Sequence, residues 1–389
     1  MKKSLVVVAL AGAMAFTAAS AETVLYGSIR LGAEVQKNHF SEANIDGTKV
    51  AVKNKRGLQM EDFGSRLGLK GSEDLGNGMK AIYQVEWGFD GMAGGKGADY
   101  ELRLAYIGLT GDWGTFALGR QNNPFTESLN AGTIADEFNG NYTSALRIAT
   151  GAVFAGPETG VDNFNATVMP TRVGNSVAYV SPSFSGFNFT VAGIAEAPEG
   201  KAIDKGLGIY TADVYNAKNN KSKGFDIYTV GLNYEHESGF YAKAAYLGTD
   251  LYKDAKRGNA YGVNVGFANE QFGVNADFGA AERGRKSDTQ AKISSKGWDV
   301  GAQFSFGPDY FSTVRATVGQ STTNYKYVEA DKVKDKMTVW ALGFEQKLST
   351  RTKVWAEFAK ENRKVKETGV TESNKRHNDV FSLGIRHDF

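Results

Sequence analysis

The chain contains no cysteine, which removes disulfides, thiolate metal sites and a cysteine nucleophile together. Proline is scarce, six in 389 residues, and no Pro-rich or Ser-rich linker divides the sequence, so its length is assigned to one large domain. After residue 21 no stretch stays apolar for the ~18 residues that mark a spanning helix, which excludes a helical membrane protein. Charge of one sign is missing too. Lys and Arg number 45 against 43 Asp and Glu, without an uninterrupted basic run, so a surface that wraps nucleic acid is not supported. The four histidines, His39, His236, His377 and His387, have no metal-ligand spacing to one another. No Gly-x-Ser-x-Gly elbow occurs, and the stretch from Gly91 to Gly97 fails as a phosphate loop because no Ser or Thr follows Lys96. An enzyme therefore lacks a nucleophile with its base, and neither a cofactor nor a metal is expected.

What is present is glycine, 47 residues, aromatic side chains at 12% and a mean hydropathy of −0.35. That combination suits a membrane β-barrel, in which only alternate residues face lipid and the average conceals the apolar face. The alternation is explicit. Tyr261, Val263, Val265 and Phe267 oppose Gly262, Asn264 and Gly266; Phe272, Val274, Ala276 and Phe278 oppose Gly273, Asn275 and Asp277; Trp298, Val300, Ala302 and Phe304 oppose Asp299, Gly301 and Gln303. At the C-terminus Phe381, Leu383, Ile385 and Phe389 share one face, and a strand running to an aromatic last residue needs a partner on both edges. At the N-terminus Lys2 and Lys3, the apolar run Leu5 to Phe16 and the small residues Ala19-Ser20-Ala21 predict an export signal over 1–21, with the barrel over 22–389.

Strands of about ten residues tilted by ~45° cover roughly the 25 Å apolar band of such a barrel, and about 16 are counted from Thr23 to Phe389, or 14 or 18 if a strand near 174–195 is merged or split. Connections alternate between tight turns, as at Gly111-Asp112-Trp113-Gly114, Glu237-Ser238-Gly239 and Asn269-Glu270, and long polar ones over 37–58, 196–222, 283–295, 321–336 and 362–376. Short periplasmic turns and long external loops have that asymmetry. The segment 121–172 is out of scale and weakly periodic, and loops that long in a compact fold usually carry function. It holds Phe125, Phe138, Tyr142 and Phe154 among the acids Glu127, Asp136, Glu137, Glu158 and Asp162.

On the early strands the polar face is basic. Alternation turns Arg30 and Arg66 inward; Arg103 lies where both faces are apolar; Arg120 shares the parity of Phe116 and Leu118 and reaches the lumen only if its strand bulges near Gly119. Inward arginines on one wall facing acids on an inserted loop would set a transverse field across a narrow passage, a filter rather than a catalyst.

Glu22-Thr23-Val24-Leu25-Tyr26-Gly27, the run Ser65-Arg66-Leu67-Gly68-Leu69-Lys70-Gly71-Ser72-Glu73-Asp74-Leu75-Gly76-Asn77-Gly78, Arg103-Leu104-Ala105-Tyr106-Ile107-Gly108-Leu109, Gly119-Arg120-Gln121 and the Phe389 end resemble the Gram-negative general porins. The resemblance implies an all-β, antiparallel up-and-down barrel of 16 strands in the outer membrane, assembled as a homotrimer, passing small hydrophilic solutes, with its third external loop folded into the pore. It implies that Arg30, Arg66, Arg103 and Arg120 form the basic wall, with Glu127, Asp136 and Glu137 as acids of the loop and Phe389 serving barrel closure and assembly. The partners expected with it are outer-membrane lipid and lipopolysaccharide, the outer-membrane assembly machinery acting on the C-terminal strand, and no nucleic acid. The segment from Asn122 departs from the compact Pro-Glu-Phe-Gly-Gly turn of enteric members; Asp136-Glu137-Phe138-Asn139-Gly140 is its counterpart here. A substrate-specific channel would show a continuous aromatic or basic track, whereas the inward faces are mostly Gly, Asn, Ser and Thr; an adhesin or structural barrel is the third alternative, and an outer-membrane enzyme the least supported.

Overall fold

The computed structural model describes residues 22–43, 49–53, 57–93, 100–140, 142–155, 167–195, 224–250, 255–286, 291–328, 332–369 and 373–389. Sixteen antiparallel staves close into a barrel. β1 is Glu22–Ala43, and β2 is one stave in three pieces, Lys49–Lys53, Gly57–Asp62 and Arg66–Gly76, all paired with β1. There follow β3 (Met79–Gly88), β4 (Glu101–Gly111), β5 (Gly114–Asn122), β6 (Arg172–Val180), β7 (Phe187–Ile194), β8 (Ile227–Glu235), β9 (Phe240–Thr249) and β10 (Ala255–Ala268). The remainder are β11 (Phe272–Arg285), β12 (Lys292–Phe306), β13 (Ser312–Lys326), β14 (Lys332–Lys347), β15 (Thr352–Glu367) and β16 (Asn374–Asp388). Each stave pairs with its sequence neighbour, and β16 returns to β1 in the register Ser28↔Asp388 through Ser41↔Lys375.

The apolar alternates face out. Val263 is 49% and Val265 47% exposed, while Asn264 between them is fully buried, the reverse of a soluble sheet and the expected state of a lipid-facing wall. The apolar core lies inside, near the long-connection end. There Phe125, Leu129, Leu146 and Phe154 from the β5–β6 connection pack on inward Ile194, Ile227, Leu247 and Ala281.

Several connections expected as long loops are shorter than that. β1 runs on to Ala43, β11 to Arg285, β13 to Lys326 and β15 to Glu367, so 37–58, 283–295, 321–336 and 362–376 are largely strand. Polar side chains on both faces hide a hairpin from a pattern search, yet the backbone ladder that holds it needs no apolar face. The 196–222 connection, Glu158, Asp162 and the 1–21 segment fall outside the described residues.

At the seam Phe389 N donates to Gly27 O and Gly27 N to Phe389 O, both at 3.1 Å, and the Phe389 ring covers Gly27 on the outer face. Deleting Phe389 removes this last pair and bares Gly27. The expected result is less heat-modifiable barrel in the membrane with unaltered conductance of whatever folds; normal folded yield at equal expression would overturn it.

Candidate functional site

The basic side of the lumen is built from β1 to β6 and β16. Asp62 first breaks β2: its Oδ1 accepts from Gly64 N at 2.8 Å and Ser65 N at 2.7 Å, and its Oδ2 from Gly91 N at 2.8 Å. Gly64 takes the positive φ of +93° that this turn requires. The stave resumes at Arg66, while Ser65 Oγ receives Arg30 N at 2.9 Å, so the break fixes both arginines. Arg30 Nε donates to Ser28 Oγ at 3.0 Å and lies opposite Arg386, whose Nε donates to Asp388 Oδ1 at 2.8 Å.

Glu86 organises the centre of this wall. Arg103 Nε donates to its Oε1 at 2.6 Å, Arg66 Nε stands 3.8 Å from its Oε2, and Tyr26 OH donates to Oε2 at 3.0 Å. Arg103 gets there by a bulge: the β3–β4 register jumps from Glu86↔Leu104 to Trp87↔Leu102, leaving Arg103 unpaired and turned toward Glu86. Gly119, at φ +128°, and the register shift between Gly119 and Gln121 supply the irregularity that the parity of Arg120 demands. Arg120 Nε donates to Leu102 O at 2.8 Å, and Arg172 joins the same end through Glu101 at 3.4 Å.

The β5–β6 connection lies along the inner face of the other staves. α1 (Pro124–Asn130) is capped by Asn123, whose side chain accepts from Phe125 N, and packs on β8 and β9; α2 (Ala145–Gly151) packs on β11, β12 and β13. Wall side chains hold it at successive points. Lys243 Nζ donates to Ala131 O at 2.9 Å, Asn264 Nδ2 to Leu129 O at 2.7 Å, and Asn275 Oδ1 accepts from Ile134 N at 2.9 Å. Asp299 accepts from Ala145 N at 3.0 Å and Leu146 N at 2.7 Å, Glu357 accepts from Asn139 N at 2.9 Å and Gly140 N at 2.6 Å, and Arg283 donates to Val153 O and Ala155 O. Contact is close enough that a Cβ at Gly297 would stand 2.7 Å from Ala145 O.

Of the loop acids, Glu127 is enclosed between α1 and the wall, and its Oε2 has no hydrogen-bond partner among the described residues. Burial, with Asp136 adding to it and Lys243 opposing, pushes its carboxyl up to about 7. Asp136 touches water but stands within the ring of staves; that enclosure, then Glu137 beside it, pushes it up to about 6 against Arg147 and Lys243. Glu137 is exposed, and its carbonyl receives Arg315 at 2.8 Å. Both shifted carboxyls gain charge as pH rises, so cation preference should grow between about pH 5 and 8, with Glu127→Gln removing the upper part of that rise and Asp136→Asn the lower. The folded loop keeps protons that these groups release at 4.5 and 3.8 when unperturbed, so its stabilisation is full below those values and is lost as pH climbs through 6 and 7. Reversal potential against pH measures the first effect; a flat profile in the parent would overturn it.

The four arginines belong to β1, β2, β4 and β5, whereas the basic groups that act on the loop acids are Lys243 of β9, Arg315 of β13 and Arg147 of the segment itself. The partners of Arg66 and Arg103 are on their own wall, in Glu86, which sequence analysis did not single out although its alternation with Tyr83, Val85 and Trp87 places it inward. Arg386, Arg172 and the anchors Lys243, Asp299 and Glu357 were likewise missed. Of the histidines, His236 contacts Ser238, His377 Asn362 and His387 Thr352, and His39 stands opposite His377 in the β1–β16 register.

Comparison with known proteins agrees with the fold. A major outer membrane protein P.IB of Neisseria gonorrhoeae is 32% identical over 249 residues, 64% of this chain and 57% of that protein. A major outer membrane protein P.IA of Neisseria meningitidis serogroup C is 33% identical over 259 residues, 61% of this chain and 60% of that one. The matched part therefore spans less than two thirds of these relatives. Among solved structures, the anion-selective porin from Comamonas acidovorans superposes with a TM-score of 0.66 at 19% identity, covering 95% of this chain and all of that one. OmpT of Vibrio cholerae, in its trimer form, gives 0.61 at 13% identity over 95% of this chain. The Gram-negative porin profile matches residues 5–366, and with the closed 16-stave barrel this makes the chain a member of the Gram-negative porin family.

Proposed function

We propose that the barrel is a diffusion pore through which small hydrophilic solutes and ions cross the outer membrane passively, after export has removed residues 1–21. One observation carries this: a polar lumen with arginines on one wall and an inserted segment, anchored stave by stave, against the other. The 121–172 loop narrows the passage, with Arg30, Arg66, Arg103 and Arg120 as its basic side and Glu127, Asp136 and Glu137 as its acidic one. Opposed charge across a narrow aqueous path orders water and dipolar solutes and disfavours apolar ones, without any reacting group. Three copies assemble in the membrane, in contact with lipid and lipopolysaccharide, and the assembly machinery engages β16 with Phe389. Single-channel recording in a planar bilayer tests the reading: steady conductance without any ligand is expected. A barrel that conducts only traces, or one that a single solute blocks at low concentration, would replace it by a plugged or a substrate-specific barrel.

A further inference from the structure

The basic wall holds a chain of neutral hydroxyl and amide groups that the charges alone do not explain. Tyr26 of β1 lies across β2 with its hydroxyl above Gly68, where a Cβ would stand 2.5 Å from both Cζ and Oη. Tyr26, Gly68 and Glu86 are successive partners in the β1–β2–β3 register, so the missing side chain at 68 is what lets the hydroxyl reach Glu86. Its proton is directed from the far end. Tyr106 OH donates to Gln84 Oε1 at 2.7 Å, which turns the Gln84 amide so that Nε2 donates to Tyr26 OH. With its acceptor side taken, the Tyr26 hydroxyl donates to Glu86 Oε2, at 3.0 Å.

Glu86 is 5% exposed, and a buried carboxylate needs a donor on each oxygen. Arg103 serves Oε1 at 2.6 Å. For Oε2 the nearest charged donor is Arg66, whose Nε stands 3.8 Å away, beyond hydrogen-bonding distance, and whose side chain is 26% exposed against 16% for Arg103. Without the Tyr26 hydroxyl, Arg66 would close onto Oε2 in a short charge-assisted pair and draw back towards the wall. We propose that Tyr26 is a selectivity-determining residue: its hydroxyl occupies Glu86 Oε2 in place of Arg66 and leaves that guanidinium presented to small anions in the lumen, with Gln84 and Tyr106 as positioning residues. This rests on the diffusion-pore reading and deepens it, assigning part of the ion preference to side chains that carry no charge.

Reversal potential in a potassium chloride gradient, with single-channel conductance from the same bilayers, tests it. Tyr26→Phe keeps the ring over Gly68 and removes only the hydroxyl. A guanidinium withdrawn by about 1 Å from a path about 7 Å off, felt with opposite sign by the two ions at an effective dielectric of ~20, lowers the anion-to-cation permeability ratio about threefold. Gly68→Ala lifts the hydroxyl off Glu86 without removing it and should move the ratio the same way; Gln84→Met, which frees the hydroxyl to rotate, should do so by less. In Glu86→Gln protein, where no carboxylate competes for Arg66, Tyr26→Phe should change nothing. An equal shift there would trace the effect to packing of the ring and overturn the proposal. So would Tyr26→Phe pores that conduct with the parent's ratio, the result expected if water takes the hydroxyl's place. A parent that does not conduct would remove the pore reading, and this selectivity role with it.

Discussion

Replacing Arg30, Arg66 and Arg103 together by serine will move the reversal potential in a salt gradient towards cations, and further at low salt than at high. A unit charge about 7 Å from a passing ion is worth about 2 kcal/mol at an effective dielectric of ~20, so even with most of that screened a roughly tenfold change in permeability ratio is expected. The removed charges are only part of it. Glu86 is held by Arg103 at 2.6 Å and Arg66 at 3.8 Å, and stripping both leaves a buried carboxylate unbalanced on the same wall. Glu86→Gln with the arginines intact should shift the potential the other way. Single-channel conductance controls for folding; conducting pores with an unchanged potential would remove this wall from the filter.

Asp299→Ala should raise conductance and make it noisy by releasing the inserted segment. The Asp299 carboxylate is fully buried and receives the first two amides of α2, with Tyr142 OH 3.4 Å away. Losing the acceptor strands two buried N–H groups at ~1–3 kcal/mol each, and none of the other anchors of the segment bonds the start of α2. Asp299→Asn keeps one acceptor oxygen and should fall between. Gly297→Val reaches the same end by another route, since its side chain would enter the space of Ala145 and Ala149. Limited proteolysis within 124–155 is the second readout. Parent-like conductance and protease resistance in both Asp299→Ala and Gly297→Val would show that α2 is not what holds the segment in place.

Alternation made the later staves legible because a wall between lipid and water has two unlike faces, and Val263, Asn264 and Val265 state that contrast in three residues. The same rule failed at Arg103 and was conditional at Arg120, since one extra residue in a strand exchanges its faces and a bulge leaves little mark in sequence. Gly119 was a hint; nothing comparable flanks Arg103. The anchors were harder. Asn275, Asp299 and Lys243 look like any solvated lumen residue until the segment lying on them is placed, because their partners are backbone groups more than a hundred residues away. The strand-extended loops were hidden for the opposite reason, their faces being alike.

The pairing of β1 with β16 sets the order in which the barrel can form. Each hairpin from β2 to β16 joins neighbours in sequence, but Ser28 meets Asp388 only when almost the whole chain lies between them. By the logarithmic cost of loop closure, joining residues ~360 apart instead of ~30 adds about 2 kcal/mol of chain entropy, with nothing gained until the ends touch. The curved sheet must therefore be nearly complete before its edges meet, and until then it exposes two open ladders of backbone donors and acceptors. Closure is the late and vulnerable step, so seam variants such as Phe389 deletion should act on the rate of barrel formation and on aggregation before it, rather than on the lifetime of a barrel once closed.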